Sequence, residues 1–389
     1  MSALISSSAL WLLILYSLLS LQQVSSLTVA VFGGSGFVGR RISSVLINAG
    51  CDVISISRSG KPPSYYCRNS ESPNDDTNWS DAVIWIQHNF DGSGGAEESS
   101  SPSSSLQLPK IDAAISCIGN VQPDPDWLKS SFFGLAFNDK RLYTENGLVN
   151  EAVVKVSKEA GAERFIYLTP SYEVAKMVEG PLEGYMDGKR YAEKVACELF
   201  GLDNTILLSA SLIYGGNRFS KFGGLYRKFV ESPIAKAYVG GNQFLRNLSS
   251  APLEDWVEQS LFSSPVDVGV VARVASAAAM GYVTRNMVND RRQGFFDLNG
   301  KPIFYDNAIC VDGTFELERI DKIAKLPVAP SSSMGVVSAL KELISEEKEP
   351  SFEGALIGKG PFLYPLPIIG TFASLFFAIA SGQFITVSN

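Results

Sequence analysis

The 389-residue chain has one histidine, His88, and five cysteines, Cys51, Cys67, Cys117, Cys197 and Cys310, none in a C-x-x-C pair. A zinc site needs clustered Cys and His ligands, so no metal centre is expected. An odd, scattered set also lacks the pattern of a disulfide framework, and buried small hydrophobes are the plain reading. No long Lys/Arg run occurs, and 40 acidic against 33 basic residues give a net charge of −7. The electrostatic footprint of a nucleic-acid binder is therefore missing.

Charge is also missing from both ends. Residues 1–26 carry none, and Leu10–Leu21 is an apolar run of signal-peptide length. A cleaved targeting leader that enters the secretory route and a retained anchor are both open. Nothing after Lys359 is charged, and Pro361–Gly382 is greasy enough to associate with a membrane or to pack on its own domain. Asn78-Trp79-Ser80 and Asn247-Leu248-Ser249 have the form of glycosylation sequons.

With 46% hydrophobic residues, there is material for a sizeable core. Short apolar runs recur at Leu27–Phe32, Asp52–Ser57, Ala82–Gln87, Ile111–Gly119, Arg164–Thr169 and Thr205–Ser211. Helical patterns follow the first run, span Asp139–Gly161 and cover Asp187–Phe200. This alternation predicts an α/β fold: a Rossmann-type, doubly wound parallel sheet. We expect a leader over 1–26 and a nucleotide-binding domain over 27–213, with flexible inserts at 60–80 and 91–109. A smaller C-terminal cap is expected over 214–350, where the rhythm is lost, and an apolar tail over 360–389.

Gly33, Gly36 and Gly39 are spaced G-x-x-G-x-x-G between the first strand and its helix. Side chains here would hold a pyrophosphate away from the main-chain amides and the helix from its strand. Gly33, Ser35, Gly36, Phe37, Val38 and Gly39 are thus the candidate cradle of a dinucleotide. The second strand ends in Ser57-Arg58-Ser59-Gly60-Lys61, with no acid for a ribose hydroxyl. Arg58, helped by Arg40, suits a 2′-phosphate, which favours NADP(H) over NAD(H). Cys117, Ile118 and Gly119 close the fourth strand where such a coenzyme would run.

Tyr185 and Lys189 lie at i and i+4 and so share a helix face. An ammonium beside a phenol favours the phenolate and makes tyrosine a usable acid or base for carbonyl–alcohol chemistry. Lys189 also suits a grip on the nicotinamide ribose. The pair is cheap by chance, and the chain carries a second, Tyr172/Lys176. Tyr185 opens the longer helix, at the carboxyl edge of the sheet, and is preferred.

The segments VFGGSGFVGRR, ISRSGKP, ISCIG, NGLVNEAV, RFIYLT and GYMDGKRYAEK, taken in order, resemble the atypical short-chain dehydrogenases. They are most similar to the group of the nucleotide-binding accessory subunit of respiratory complex I and its relatives linked to ubiquinone synthesis and plastids. The likeness runs from about Leu27 to Gly215. It implies an NADP(H)-binding fold in a mitochondrion or plastid and Asn146 as the structural asparagine of the central helix. It also implies that Thr169 or Ser171 stands where a catalytic serine is usual, and that His88, Asn89 and Phe90 line the adenine pocket. The loop Ser209–Gly216 departs from the group by lacking Arg-Pro-Gly. Several members of the group hold their nucleotide as a structural element. The expected activity is reduction or oxidation of a hydrophobic carbonyl or quinone-like substrate; the alternative is a nucleotide-stabilised scaffold of a membrane complex.

Overall fold

The computed structural model describes residues 26–62, 79–90, 106–121, 138–172, 174–175, 182–215, 220–233, 235, 263–288, 295–296, 302–303 and 308–326. The apolar leader and tail, Asn78 of the first sequon, the whole second sequon, Lys176 and most of the two inserts lie outside the described residues.

In chain order the elements are β1 (Thr28–Phe32), α1 (Phe37–Asn48), β2 (Asp52–Ser57), β3 (Val83–Gln87), β4 (Ala113–Ser116) and α2 (Asp139–Tyr143). A π-helical turn (Thr144–Leu148) leads into α3 (Val149–Glu159), then β5 (Arg164–Pro170), α4 (Glu183–Phe200) and β6 (Thr205–Ala210). Next come β7 (Ile213–Tyr214), α5 (Ser220–Val230), β8 (Val266–Asp267), α6 (Val268–Ala279), β9 (Phe295–Phe296), β10 (Pro302–Ile303), β11 (Ile309–Asp312) and α7 (Gly313–Ile323).

Seven strands form one sheet in the order β3-β2-β1-β4-β5-β6-β11, and every pairing is parallel. Parallel strands need crossover helices, and these cover both faces, which explains the unbroken apolar runs. On one face Val29, Val31, Ile115, Ile166 and Leu208 pack with Ile42 and Leu46 of α1, Val271 and Ala275 of α6, and Leu317 of α7. On the other, Phe32, Ile54, Phe165, Tyr167 and Leu207 pack with Val153 of α3 and Ala192, Val195 and Phe200 of α4. Each fully buried aliphatic side chain contributes about 1.5–3 kcal/mol.

The expected boundary at residue 213 does not hold for the sheet. β11 pairs with β6 through Ile309↔Ile206 and Val311↔Leu208. α6, rich in Ala and Val and buried on nearly every side, packs between α1 and α7. A guanidinium–carboxylate fork from Arg273 to Asp321, 2.7 Å at both contacts, ties α6 to α7. Residues 266–279 and 309–323 therefore complete the α/β layers. The helix expected from Asp187 begins a turn earlier, at Glu183.

Candidate functional site

The strand order reverses between β1 and β4: the chain steps outward to β2 and β3 on one side and to β5 and β6 on the other. The crevice at such a switch point, beyond the carboxyl ends of the strands, is where open α/β sheets bind ligands. The glycine turn opens there. Gly33 adopts φ +79°, and its amide donates to Ile56 O at 2.7 Å, tying the turn to β2. A Cβ on Gly39 would lie 2.4 Å from Gly33 O, so only glycine lets α1 start this close to its strand. Gly34, which the triplet spacing passes over, is as constrained: a Cβ there would meet Ser55 Oγ at 2.0 Å.

Gly36 caps α1 in extended conformation and brings no side chain to the first turn, which holds no acidic residue. The positive end of the helix, with Phe37 and Val38 half-exposed beside it, suits a phosphate. Across the crevice, Cys117 and Ile118 lie against Gly33. Burial pushes the Cys117 thiol up to about 12, partly offset by Lys189, so it stays protonated.

At the end of β2 the Ser35 hydroxyl donates to Ser57 Oγ at 2.8 Å and lies 2.7 Å from Ser59 Oγ. Ser57 in turn donates to Gly60 O at 3.0 Å. Arg58 is exposed beside this hydroxyl cluster, and Gln87 Nε2 donates to its carbonyl at 3.0 Å. Arg40 differs: it is buried and already has an interaction of its own. Of the two arginines expected to reach one phosphate, only Arg58 is on the open edge. Lys61 is held by Asp81 at 2.7 Å. Phe90 packs against Phe32, with centroids 5.9 Å apart, and takes the edge of His88 at 4.5 Å; Asn89 is exposed.

The other half of the crevice is built by a close helix crossing. Gly147, in the π turn, meets Gly188 of α4, where a Cβ would lie 2.9 Å from Gly147 N. This crossing sets Asn146 beside Lys189 over the loop that follows β4. Asn146 clamps the Asn120 peptide in both directions: its Oδ1 accepts from Asn120 N at 2.9 Å, and its Nδ2 donates to Asn120 O at 2.8 Å. Asn150, one turn on, accepts from Ser116 Oγ at 2.6 Å. Tyr167 Oη donates to Asn146 O at 3.3 Å. Asn146 is thus a structural clamp that shapes the Cys117–Gly119 edge. Asn150 and Ser116 share that work; their (i, i+4) spacing and strand-end position were the only signals for them.

Lys189 is buried and donates to Ile118 O and Leu168 O, each at 2.9 Å. Its Nζ stands 4.5 Å from the Tyr167 ring centroid and 6.0 Å from that of Tyr185. Burial lowers its pKa to about 8, while Glu193 and Cys117 act to raise it. The net direction at Tyr185 is opposite to the lowering expected from Lys189. Burial first, and Glu193 second, raise the Tyr185 pKa above its ordinary value, because the phenolate would form in a shielded place beside a carboxylate.

The two candidates for the serine position separate. Ser171 accepts from Val174 N at 3.5 Å as the cap of a short turn. Thr169, two residues earlier, donates to Glu193 on α4 and so belongs to the Tyr185–Lys189 side. Glu193, absent from the sequence reading, is buried here and is the most consequential omission. Tyr172 packs beside Tyr185 against Ala175 and Met186. Among the described residues no cluster of His, Cys, Asp and Glu could hold a metal. Nor is any described helix long and apolar enough to cross a membrane.

No protein-family model matches the chain. It is 27% identical over 250 residues to an uncharacterized chloroplastic protein of Arabidopsis thaliana, spanning 64% of this chain and 70% of that one. It is 22% identical over 272 residues to MIOREX complex component 2 of Saccharomyces cerevisiae, spanning 65% and 95%. Among solved structures it resembles WbmH of Bordetella bronchiseptica in complex with NAD+, with TM-score 0.38, 15% identity, and 67% and 74% of the two chains covered. It also resembles MoeE5 in complex with UDP-glucuronic acid and NAD, with TM-score 0.39, 15% identity, and 82% and 97% covered. Those likenesses reach no further than the fold, and the strand order by itself makes the architecture a Rossmann-like α/β sheet.

Proposed function

We propose that the chain binds a nicotinamide dinucleotide, NADP(H) in preference to NAD(H), and uses it as an oxidoreductase of the short-chain dehydrogenase type. The single observation that carries this reading is the glycine turn at the switch point, closed against Cys117–Gly119 and continued by Lys189. The first turn of α1 holds the pyrophosphate on main-chain amides. Ser35, Ser57, Ser59 and Arg58 receive a 2′-phosphate, with no carboxylate at the end of β2 to repel it. Phe90 flanks the adenine. Lys189 has spent two protons on carbonyl oxygens, and its third reaches a ribose hydroxyl. When bound, the reduced coenzyme supplies a hydride. Tyr185 supplies the proton to the substrate carbonyl oxygen; Thr169, whose one hydroxyl proton goes to Glu193, backs this side of the site rather than donating to the substrate.

The apolar ends of the chain favour a hydrophobic, carbonyl or quinone-like substrate at an organellar membrane, and the chloroplastic relative supports an organelle. A second reading rests on Lys189. An amine bonded to the Ile118 carbonyl after β4 and the Leu168 carbonyl of β5 ties the two strand ends together with or without chemistry, which suits a nucleotide-stabilised scaffold.

Calorimetry on the folded chain tests the binding. NADP(H) should bind at least about tenfold more tightly than NAD(H), and Arg58→Ala should remove the difference, the loss of one charge-assisted pair being about 1.5–3 kcal/mol. No heat with either coenzyme, oxidised or reduced, overturns the reading. Tyr185→Phe separates enzyme from scaffold: turnover of NADPH with a carbonyl or quinone panel should be lost while binding stays. Wild type inert across that panel favours the scaffold.

A further inference from the structure

Tyr185, Lys189 and Glu193 follow at four-residue intervals along α4 and so form one stripe. Tyr185 is half-buried, whereas Lys189 and Glu193 are each only 3% exposed. A carboxylate placed this deep is costly unless a cation or donors face it. Thr169, from β5, donates its hydroxyl to Glu193. Ionisable groups around this stripe include Tyr167 of β5, Cys117 after β4 and Tyr172 after β5, together with Asp187 and the buried Arg190 of α4 and Asp312 of β11, whose carboxylate accepts from Tyr172 N. The two tyrosines and the cysteine are neutral in their protonated forms.

We propose that Glu193 is a positioning residue for the site: its buried side chain accepts the Thr169 hydroxyl and, ionised at the end of the Tyr185–Lys189 stripe, backs that pair with negative charge, so that the site gives a proton to its substrate. The identity of that substrate as a carbonyl rests on the coenzyme reading above. A negative charge behind the pair opposes the phenolate and supports the ammonium. The directions found for both groups agree: Glu193 raises Tyr185 and counteracts the downward pull of burial on Lys189. Reduction is the direction for which a protonated Tyr185 is the ready partner. The substrate carbon accepts the hydride and its electron pair from the reduced coenzyme, and the carbonyl oxygen takes the Tyr185 proton. The Tyr185 O–H bond breaks, an alcohol O–H bond forms, and the phenolate recovers its proton from water. Alcohol oxidation would have to begin from the phenolate that Glu193 opposes.

The test needs no substrate. In the full chain, 13C-labelled lysine and tyrosine are followed by NMR against pH, with Lys189→Met and Tyr185→Phe assigning the signals. In wild type Lys189 should titrate near 8 and Tyr185 should remain a phenol through about pH 11. Glu193→Gln keeps the volume and an acceptor for Thr169, so a purely structural role would leave both titrations unmoved. We expect both to fall by about one pH unit or more. Unchanged titrations in a folded Glu193→Gln chain overturn the proposal. Should that variant not fold, wild type decides: Tyr185 ionising at or below the ordinary phenol value overturns it. Coenzyme calorimetry on the same samples is separate, so a chain that binds no coenzyme yet shows the shifts sinks the coenzyme reading and not the role of Glu193.

Discussion

A single methyl group tests the glycine turn. In Gly39→Ala the new carbon would sit 2.4 Å from Gly33 O and 2.7 Å from Gly34 Cα, both main-chain atoms that cannot swing away. The helix must retreat from the strand, at a cost of about 2–4 kcal/mol, and the amides retreat with it. A denaturant midpoint should fall, and calorimetry should show coenzyme binding lost in whatever remains folded.

Lys189 makes a prediction with a sign. Its folded pKa, about 8, lies below the ordinary 10.5. Below about pH 8 both folded and unfolded chains hold the proton, and the full cost of burying the ammonium is present. Between 8 and 10.5 the unfolded chain holds more proton, so stability rises with pH. Cys51, pushed up to about 11 mainly by burial, and Cys117 act oppositely above their ordinary value of 9. The clean window is therefore pH 8–9. There the unfolding free energy of wild type minus that of Lys189→Met should climb with a slope of up to about 1.4 kcal/mol per pH unit. A flat difference would mean that Lys189 is not shielded.

At the level of elements, the crossing of α4 over the π turn positions the site. Gly188→Ala would put a carbon 2.9 Å from Gly147 N and 3.0 Å from Tyr143 O. We expect a loss of about 1–3 kcal/mol and weaker coenzyme binding, because Lys189 is the next residue. Gly224, in α5, is the control: nothing among the described residues lies within 4 Å of its Cβ position. Gly224→Ala should stabilise by up to about 1 kcal/mol through helix propensity alone. Thermal melts of the two variants should move in opposite directions. The stripe of Tyr185 and Lys189 was legible from four-residue spacing. That Glu193, on the same spacing, is buried and meets the Thr169 hydroxyl was not, since it depends on burial and on Thr169 arriving from another strand.

For the whole molecule, the decisive feature is that the sheet closes late. A chain ended after Ile213 would leave β6 as a bare edge and strip α6 and α7 from the face holding Ile42, Leu46 and Ile206. Such a fragment, which matches the boundary expected from pattern alone, should aggregate or melt without cooperativity, whereas the full chain should show a cooperative transition. Calorimetric scans of both would decide it. β1, β2, β4, β5 and β6 announced themselves because a strand buried on both faces must be largely apolar, and the edge strand β3, half-exposed, did so by its β-branched and aromatic run. β11, four residues long after a stretch without rhythm, gave no such local sign; only its pairing with β6 makes it a strand of the sheet.

By itself, then, the order of residues determined the parallel α/β plan, the glycine turn and the shared face of Tyr185 and Lys189, because each follows from spacing within one or two elements. Tertiary structure decided which strand closes the sheet, which arginine stays on the open edge, and how deeply the tyrosine–lysine pair lies beside Glu193. Those depend on solvent exclusion and on charges brought together from distant parts of the chain, which no local pattern encodes.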